Sequence, residues 1–353
     1  VCVQDYTQVF EYLRGLSVGS VMYDGGKVNE ALYEAINSQA KKVNVSPSPV
    51  LKMQSVKNET ELAGERIAMR KDAVALTRFF YWLEKEALKT PQTEITLAQQ
   101  LGKFRAMGEN YTDDSFCTIA GWKGNGAIVH YHATPEECAK IEGEGVLLLD
   151  SGGQYLDGTT DITRTIWVGD PAQIPSAVKR DYTAVLKGHI ALACARFPKG
   201  TRGNQLDVLA RQFLWAEGMT YGHGTGHGVG HFMGCHEGPQ NIRTDNNPNP
   251  LQVGNICSDE PGLYRANEYG IRTENLIAVR ECSNLEAHAT GETFYEFETL
   301  TLCYYDTNMI DLTRMTPQEI AWINAYHKWV YEETAPQLSK EEANWLQDKC
   351  KAL

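Results

Sequence analysis

Five polar residues stand in one fixed order along the second half of the chain, each in a short and distinctive context. They are Asp150, Asp161, His227, Glu260 and Glu274, found within LLLD, DGTTDITRT, HGTGHGVG, DEPGLY and IRTEN. Hard divalent ions prefer oxygen ligands, and an imidazole nitrogen leaves room for manganese, cobalt or zinc. Five ligands exceed the three protein ligands that a catalytic zinc usually takes. Since four carboxylates can hold two cations close together, the set predicts a two-metal hydrolytic site.

The four carboxylates are expected at the ends of strands. Asp150 closes the apolar run VLLLD, Asp161 opens DITRTI, and a segment rich in turn residues lies between them. Antiparallel strands joined in this way can present both side chains on one sheet face. Asp157 falls between them in an Asp-Gly turn, where a structural role is the default. Glu260 and Glu274 are fourteen positions apart, which is also consistent with neighbouring strands joined by a turn.

A glycine-rich tract supplies the candidate nitrogen ligands. The segment HGTGHGVGHFMGCHEGP holds His223, His227, His231 and His236, and its glycines permit close backbone approach. Spacing alone does not identify the ligand among them. The chain has no H-E-x-x-H motif, which argues against a thermolysin-type zinc site. Arg272 lies two positions before Glu274, so both side chains would point to the same face of a strand. Arg272 can then form an ion pair with a ligand carboxylate, contact a substrate, or do both.

The overall composition limits the classes of partner and the cellular location that fit this chain. The formal net charge is −12, which argues against nucleic acid or an anionic membrane surface as the main partner. No apolar run approaches about 18 residues, the length that predicts a membrane-spanning helix. Nine scattered cysteines without a CxxC pair favour reduced thiols and a cytoplasmic location. The first residues, VCVQDYTQVF, do not have the pattern of a signal peptide.

Helical and strand-like segments occur in blocks, which predicts an α+β fold. Residues 1–56 are predicted to form a short α/β piece with a strand at SVMYD, a helix at VNEALYEAINSQAKK and an extended segment at VSPSPVLKMQSV. This piece is too small to bury a core by itself. The last stretch, from about residue 306, is predicted to be helical and carries an apolar stripe that includes Trp322 and Trp329. The stripe can pack on its own domain or form an oligomer contact.

The combined motifs resemble the pita-bread metallopeptidases, and among them the eukaryotic cytosolic type of Xaa-Pro aminopeptidase. The likeness runs from about Asn58 to the C-terminus and rests on NGAIVHY, LDSGGQYLDGTTDITRT, YGHGTGHGVG, HEGP, DEPGLY and GIRTEN. The resemblance implies the pita-bread (creatinase/aminopeptidase) fold. It also implies a remnant of an N-terminal creatinase-like domain at 1–56, a catalytic domain at 57–305 and a C-terminal helical extension at 306–353.

The resemblance implies a role for each of the five candidate ligands. Asp150 would chelate one metal, Asp161 and Glu274 would bridge two, and His227 and Glu260 would complete the second. A hydroxide between the metals would attack the scissile carbonyl. Glu260 would act as general base and pass the proton to the leaving proline nitrogen.

Further residues match positions around the substrate in that family. The resemblance implies that His130 lies near the substrate and that His236 stabilises the carbonyl oxygen or relays a proton. His223 would line the proline pocket, and Arg272 would lie near the active centre. His231 is expected not to be a ligand. Neutral imidazoles beside two cations can donate hydrogen bonds without adding repulsive charge.

The expected activity is release of the N-terminal residue from peptides with proline in second position. The nearest alternative is a prolidase, which cuts only Xaa-Pro dipeptides, and a non-catalytic binding module is the alternative of a different class. An intact ligand set argues against a creatinase, which has the fold without metal. The expected cofactor is a pair of Mn²⁺ ions, with Zn²⁺ or Co²⁺ as alternatives. A homodimer through the C-terminal extension is also expected.

Overall fold

The computed structural model describes residues 3–232, 234–282 and 291–353, with only the backbone described at Leu88. The chain divides into two compact units, Val1–Gln54 and Ser55–Leu353. Among the described residues, no helix is both long enough and apolar enough to cross a bilayer. The eight described cysteines are free thiols, and Cys2 lies outside the described residues.

The first unit is a small α/β arrangement around two parallel strands. Its elements are α1 (Val9–Gly15), β1 (Ser20–Tyr23), α2 (Glu30–Ala35), β2 (Lys41–Asn44) and α3, which starts at Pro49 and ends at Ser55. The predicted strand and helix are confirmed, although the helix is shorter than its pattern.

The predicted extended segment VSPSPVLKMQSV is wrong, because most of it forms α3. Pro49 occupies the first helical position, where a fixed φ favours the helix and the missing N–H costs nothing. The Ser48 hydroxyl accepts a hydrogen bond from the Val50 N–H at 3.2 Å, as an N-cap residue does. Two prolines therefore marked a helix start rather than an extended chain.

The second unit contains the remaining elements. Its helices are α4 (Glu59–Lys85), α5 (Glu94–Arg105), α6 (Ser176–Ala193), α7 (Gly203–Ala216), α8 (Pro317–Thr334) and α9 (Lys340–Lys349). Its strands are β3 (Tyr111–Asp114), β4 (Ile119–Trp122), β5 (Gly145–Ser151), β6 (Gly153–Tyr155), β7 (Gly158–Thr159), β8 (Ile162–Val168), β9 (Arg196–Pro198), β10 (Gly226–Val229), β11 (His236–Ile242), β12 (Ile256–Asp259), β13 (Gly262–Arg265), β14 (Tyr269–Arg272), β15 (Asn275–Glu281) and β16 (Phe294–Thr299).

Antiparallel sheets organise this unit. Within its described residues, six strands run in the order β11-β10-β12-β15-β16-β9, and three run in the order β4-β5-β8. Smaller sheets join β3-β6-β7 and β13-β14. Helices pack on these sheets, which gives the pita-bread fold and confirms the predicted α+β class.

Local sequence signals explain where the long helices start. The Asn58 side chain caps α4, and the Glu61 carboxylate accepts a hydrogen bond from the Asn58 N–H, which completes a capping box. Thr316 with Glu319 does the same for α8. The apolar faces of α4, α5, α6, α8 and α9 then share one core with the β4-β5-β8 sheet. This shared core fixes β5 and β8, the strands that deliver two of the predicted ligands.

The C-terminal helices belong to that core. Ile323, Tyr326 and Val330 of α8 are buried, whereas Trp322 and Trp329 are partly exposed. The Trp322 ring stacks on Tyr326 with a centroid separation of 5.4 Å. The apolar stripe therefore packs on its own unit, and the oligomer contact stays a prediction.

Candidate metal centre

Two pairs of antiparallel strands position the four carboxylates. In the β5/β8 pair, Asp150 lies opposite Thr163, and Asp161 comes directly before β8. In the β12/β15 pair, the last paired residues are Asp259 and Asn275, which directly adjoin Glu260 and Glu274 in the sequence. The connection within each pair carries a short hairpin, β6-β7 in the first and β13-β14 in the second. Each pair therefore delivers two carboxylates at one end.

The imidazole arrives from β10, which pairs with β12. Three overlapping groups of side chains form, and within each group the ligand atoms lie within 4.8 Å of one another. The groups are Asp150–Asp161–Glu274, His227–Glu260–Glu274 and Asp161–His227–His236. The structure thus brings all five predicted ligands together, and it adds His236 at one side.

Burial and mutual repulsion make this cluster costly without cations. Burial raises the pKa of Glu260 to about 7, and the charge of Asp161 adds to that rise. Burial and the same neighbour raise the pKa of Glu274 well above its ordinary value. Burial also raises the pKa of Asp150, although the Arg272 guanidinium opposes the rise. Bound cations would favour the ionised carboxylates and remove this cost.

The orientation of His227 suits a metal ligand. Its Nδ1 lies 2.9 Å from the carbonyl oxygen of Gly228, which can only accept, so Nδ1 carries a hydrogen. Nε2 then faces Asp161 at 3.2 Å and Glu260 at 3.6 Å. Burial alone would lower the pKa of His227, but the hydrogen bond to Asp161 and the charge of Glu260 raise it to about 9. When Nε2 loses its proton, its lone pair points at the carboxylate cluster.

The donor set therefore fits two divalent cations. Four carboxylates and one imidazole with a fixed tautomer give an oxygen-rich site, and each carboxylate offers two oxygens. Among the described residues, no lysine or arginine other than Arg272 forms an ion pair with the five donors. The negative charge of the cluster thus exceeds what the protein itself neutralises.

A cavity of about 860 Å³ opens beside the cluster. Its wall includes the five donors together with His130, His223, His236 and Arg272. The His236 ring lies 4.0 Å from the His227 ring, centroid to centroid. Burial and the neighbouring His227 lower the pKa of His236, so its neutral form is favoured. The structure thus places every predicted substrate residue at this cavity.

Arg272 links the cluster to His223 through a chain of hydrogen bonds. It donates to Asp150 at 2.5 Å, to the Thr163 hydroxyl at 3.1 Å and to the Tyr264 hydroxyl at 2.8 Å. The Tyr264 oxygen lies 2.7 Å from Nε2 of His223, whose Nδ1 faces the Gly224 carbonyl at 2.8 Å. Because that carbonyl fixes the hydrogen on Nδ1, a neutral His223 accepts from Tyr264. Burial lowers the pKa of His223 to about 4, which keeps it neutral.

Several supporting residues escaped the sequence analysis. The Thr163 hydroxyl donates to Glu274 at 2.7 Å, and the Ser258 hydroxyl donates to Glu260 at 3.0 Å. The Cys235 thiol donates to Asp161 at 3.1 Å. Ser258 stands two positions before a predicted ligand on a strand, so the period of two could have indicated it. Nothing in the sequence pointed to Tyr264 or Cys235.

Two candidates lie apart from the cluster. Asp157 forms an ion pair with Lys71 at 2.5 Å, in keeping with a structural role in its turn. His231 contacts Glu65 of α4 at 3.2 Å and belongs to none of the three donor groups.

Known proteins share both sequence and structure with this chain. A "Probable Xaa-Pro aminopeptidase P" of Botryotinia fuckeliana is 42% identical over 100% of this chain and 55% of its own length. An "Aminopeptidase P2" of Arabidopsis thaliana is 43% identical over 87% of this chain and 43% of its own length. The chain spans about half the length of the curated relatives it matches.

A solved structure has the same fold. It is described as an X-prolyl aminopeptidase from Caenorhabditis elegans, a cytosolic enzyme with a di-nuclear active site. It superposes with a TM-score of 0.89 at 34% identity, covering 99% of this chain and 57% of that one. The model of metallopeptidase family M24 matches residues 63–281, and that of the C-terminal region of peptidase M24 matches residues 293–353. Since the match over residues 63–281 alone covers more than half of this chain, the chain belongs to metallopeptidase family M24.

Proposed function

We propose that this chain is the catalytic part of an Xaa-Pro aminopeptidase, which releases the N-terminal residue from peptides with proline second. The observation that carries the proposal is the convergence of four carboxylates and one imidazole on the wall of one cavity. The names of the similar proteins from Botryotinia fuckeliana and Caenorhabditis elegans support the substrate class.

Asp150, Asp161, His227, Glu260 and Glu274 would hold two divalent cations. When bound, such cations activate water as a nucleophile near neutral pH and supply positive charge for the developing oxyanion. Manganese is the proposed metal because four of the five donor residues are carboxylates, with zinc or cobalt as alternatives. Arg272 supports the arrangement by holding Asp150 in place through an ion pair.

Glu260 is the proposed general base. Its side chain lies at the cavity wall and accepts a hydrogen bond from the Ser258 hydroxyl, and its backbone N–H donates to the Thr225 carbonyl. It would take a proton from the attacking water and deliver it to the leaving proline nitrogen. His236 would donate a hydrogen bond to the scissile carbonyl oxygen, since its neutral ring is favoured and faces the same cavity.

His223 and His130 would contact the peptide on the proline side. The hydrogen bonds with Gly224 and Tyr264 hold the His223 ring in one orientation. A neutral ring offers an apolar face to a pyrrolidine without adding charge beside the cations. Arg272 would set this wall relative to the metal centre, because it contacts both Tyr264 and Asp150.

Domain roles, assembly and location complete the proposal. Residues 57–305 would form the catalytic domain, 306–353 its helical extension and 1–56 the remnant of an N-terminal creatinase-like domain. The partly exposed Trp322 and Trp329 of α8 support a homodimer contact through the extension. The description of the Caenorhabditis elegans protein as cytosolic supports a cytoplasmic location.

Hydrolysis of two peptides by the metal-free protein refilled with Mn²⁺ tests the activity. We expect cleavage of Arg-Pro-Pro between the first and second residues, with little turnover of the dipeptide Ala-Pro. The metal-free protein before refilling is the baseline and should cleave neither peptide.

The opposite pattern, rapid turnover of Ala-Pro with Arg-Pro-Pro intact, would make the chain a prolidase. A protein that holds two metals and binds Arg-Pro-Pro in calorimetry without cleaving it would be a binding module. Either result would overturn the proposal.

A further inference from the structure

One buried carboxylate contacts two segments of the chain that lead to residues of the candidate metal centre. Glu65 lies on α4 with a fully buried side chain. Its Oε1 accepts a hydrogen bond from the Thr159 N–H at 3.1 Å and lies 3.2 Å from Nδ1 of His231. Thr159 stands two positions before Asp161, and His231 five positions before His236. The Glu65 side chain therefore contacts both the segment that precedes Asp161, a proposed metal ligand, and the segment that precedes His236, a proposed substrate residue.

A second contact ties the same two segments to each other. The Thr159 hydroxyl accepts a hydrogen bond from the Phe232 N–H at 2.8 Å. Phe232 has a φ of 69°, a conformation that bulky L-residues rarely adopt. The Gly230 N–H donates to the Gly234 carbonyl at 2.9 Å. Such a backbone persists only where the surroundings hold it, and Thr159 and Glu65 provide that support.

Lys57 fixes the two ends of the segment that carries His231. Its buried Nζ donates to the Val229 carbonyl at 2.6 Å and to the Glu237 carboxylate at 3.3 Å. Val229 precedes the segment and Glu237 follows it. A cation thus holds both ends, and Glu65 holds the middle.

The chemistry of the buried contact argues that it does more than stabilise the fold. Burying a carboxylate is costly, and an apolar side chain of similar size is often as stable or more so. Glu65 leaves Oε2 without a hydrogen-bond partner among the described residues, so its pairing is incomplete. The fit is nevertheless close, since a Cβ at Gly158 would lie 2.7 Å from the carboxyl carbon. A directional hydrogen-bond acceptor specifies position in a way that an apolar side chain does not.

We propose that Glu65 and His231 are positioning residues that set the place of His236 relative to Asp161. Resting on the proposed function, the inference adds two residues that touch neither metal nor substrate. The segment held by the pair ends in Cys235, which contacts Asp161, and in His236, which lies against His227. Loss of the contact at Glu65 therefore displaces both the carbonyl-binding imidazole and the thiol partner of a metal ligand.

A spectroscopic test works without any activity. In the metal-free protein with ¹³C-labelled histidine, the ring signal of His236 is identified by its loss in H236A. We expect Glu65→Met and His231→Ala to shift or broaden that signal, whereas Glu65→Gln keeps both acceptor contacts and leaves it in place. Arg66→Met is the matched control, because Arg66 is the next residue of α4 and pairs with Glu298 of β16 instead.

Kinetics supply the second arm. Glu65→Met and His231→Ala should lower kcat on Arg-Pro-Pro by about tenfold or more with little change in KM, since a displacement near 1 Å can cost that much. In an H236A background the same changes should cause a clearly smaller loss, because the part of the effect that passes through His236 is already gone. Arg66→Met should leave kcat unchanged.

Unchanged His236 signals in both Glu65→Met and His231→Ala would overturn the inference, as would kcat losses that simply add to that of H236A. If Glu65→Met does not fold, the partly exposed His231 still provides the test through His231→Ala. A wild type that cleaves no peptide would count against the proposed function alone, since the spectroscopic arm is independent of it.

Discussion

At the scale of single residues, backbone carbonyls decide which nitrogen of each site histidine is available. The Gly228 and Gly224 carbonyls hold the Nδ1 hydrogens of His227 and His223. The two Nε2 atoms then face different partners, carboxylates for His227 and the Tyr264 hydroxyl for His223. Two histidines four positions apart are thereby prepared for different tasks. The glycines permit this because their backbone can approach the rings closely.

The role of His227 can be tested by its removal. His227→Ala should lower the bound metal from about two ions per chain towards one and reduce peptide hydrolysis by more than about 100-fold. Metal analysis after gel filtration and hydrolysis of Arg-Pro-Pro measure the two effects. His132→Ala is the control, because His132 lines the same cavity outside the donor groups. Two metals retained with full activity would disprove the ligand assignment.

Metal binding should also release a proton from this residue. The pKa of His227 is raised to about 9 by Asp161 and Glu260 against the effect of burial, so Nε2 is protonated at pH 7 in the metal-free protein. A metal ligand must be deprotonated, and affinity should therefore rise as the pH increases towards 9. Calorimetry at pH 7 in buffers of different ionisation enthalpy counts the released protons. In His227→Ala the count should fall, and an equal count would contradict the prediction.

At the scale of elements, α8 serves two surfaces at once. Its buried face joins the core that holds β5 and β8, and its Trp322 and Trp329 remain partly exposed. The Trp329 ring lies edge-on to Tyr326 at 5.9 Å. An aromatic side chain that is packed on one side and open on the other is common in protein interfaces.

Polar replacement of both tryptophans tests the interface. Trp322→Gln with Trp329→Gln should convert the expected dimer to a monomer, because the aromatic contact area is lost. Light scattering gives the mass, and a thermal melt verifies that the variant is folded. Trp215→Gln on α7 is the control, since that side chain is 48% exposed. A dimer that survives the double change would place the contact elsewhere.

At the scale of the whole molecule, buried neutral histidines tie stability to pH. His327 lies within the core, and its Nε2 accepts the Tyr305 N–H at 3.0 Å. Burial and then the Arg164 charge lower the pKa of His327 to about 4. Between the ordinary pKa near 6.5 and about 4, the unfolded chain takes up a proton that the folded chain does not. His327 therefore contributes stability that is complete above pH 6.5 and is lost as the pH falls towards 4.

Urea unfolding of the metal-free protein at pH 7 and pH 4.5 measures this contribution. His327→Gln keeps an acceptor for the Tyr305 N–H and should reduce the loss of unfolding free energy between the two pH values by up to roughly 3 kcal/mol. The exposed His132 provides the control as His132→Gln, which should leave the loss unchanged. Equal losses in wild type and His327→Gln would show that the buried imidazole does not govern acid sensitivity.

By itself, the sequence determined the fold class, the two strand pairs and the five side chains that meet at one cavity. These follow from local patterns: apolar runs that end in Asp, turn residues between strands, and glycines around His227. The sequence-based prediction failed at α3, because two prolines suggested an extended segment although Pro49 starts a helix. Local chemistry permits both outcomes at an X-Pro step, and the backbone context decides between them.

Only the tertiary structure decided which side chains support the donors. Thr163 meets Glu274 across 111 positions, and Glu65 meets His231 across 166. Neither pair has a local signature, because hydrogen-bond partners at such separations are set by how α4 and the two sheets pack. The same packing places Arg272 on Asp150 and Tyr264 rather than in solvent. Periodicity shows which face of an element is buried, whereas the partner it is buried against depends on the packed core.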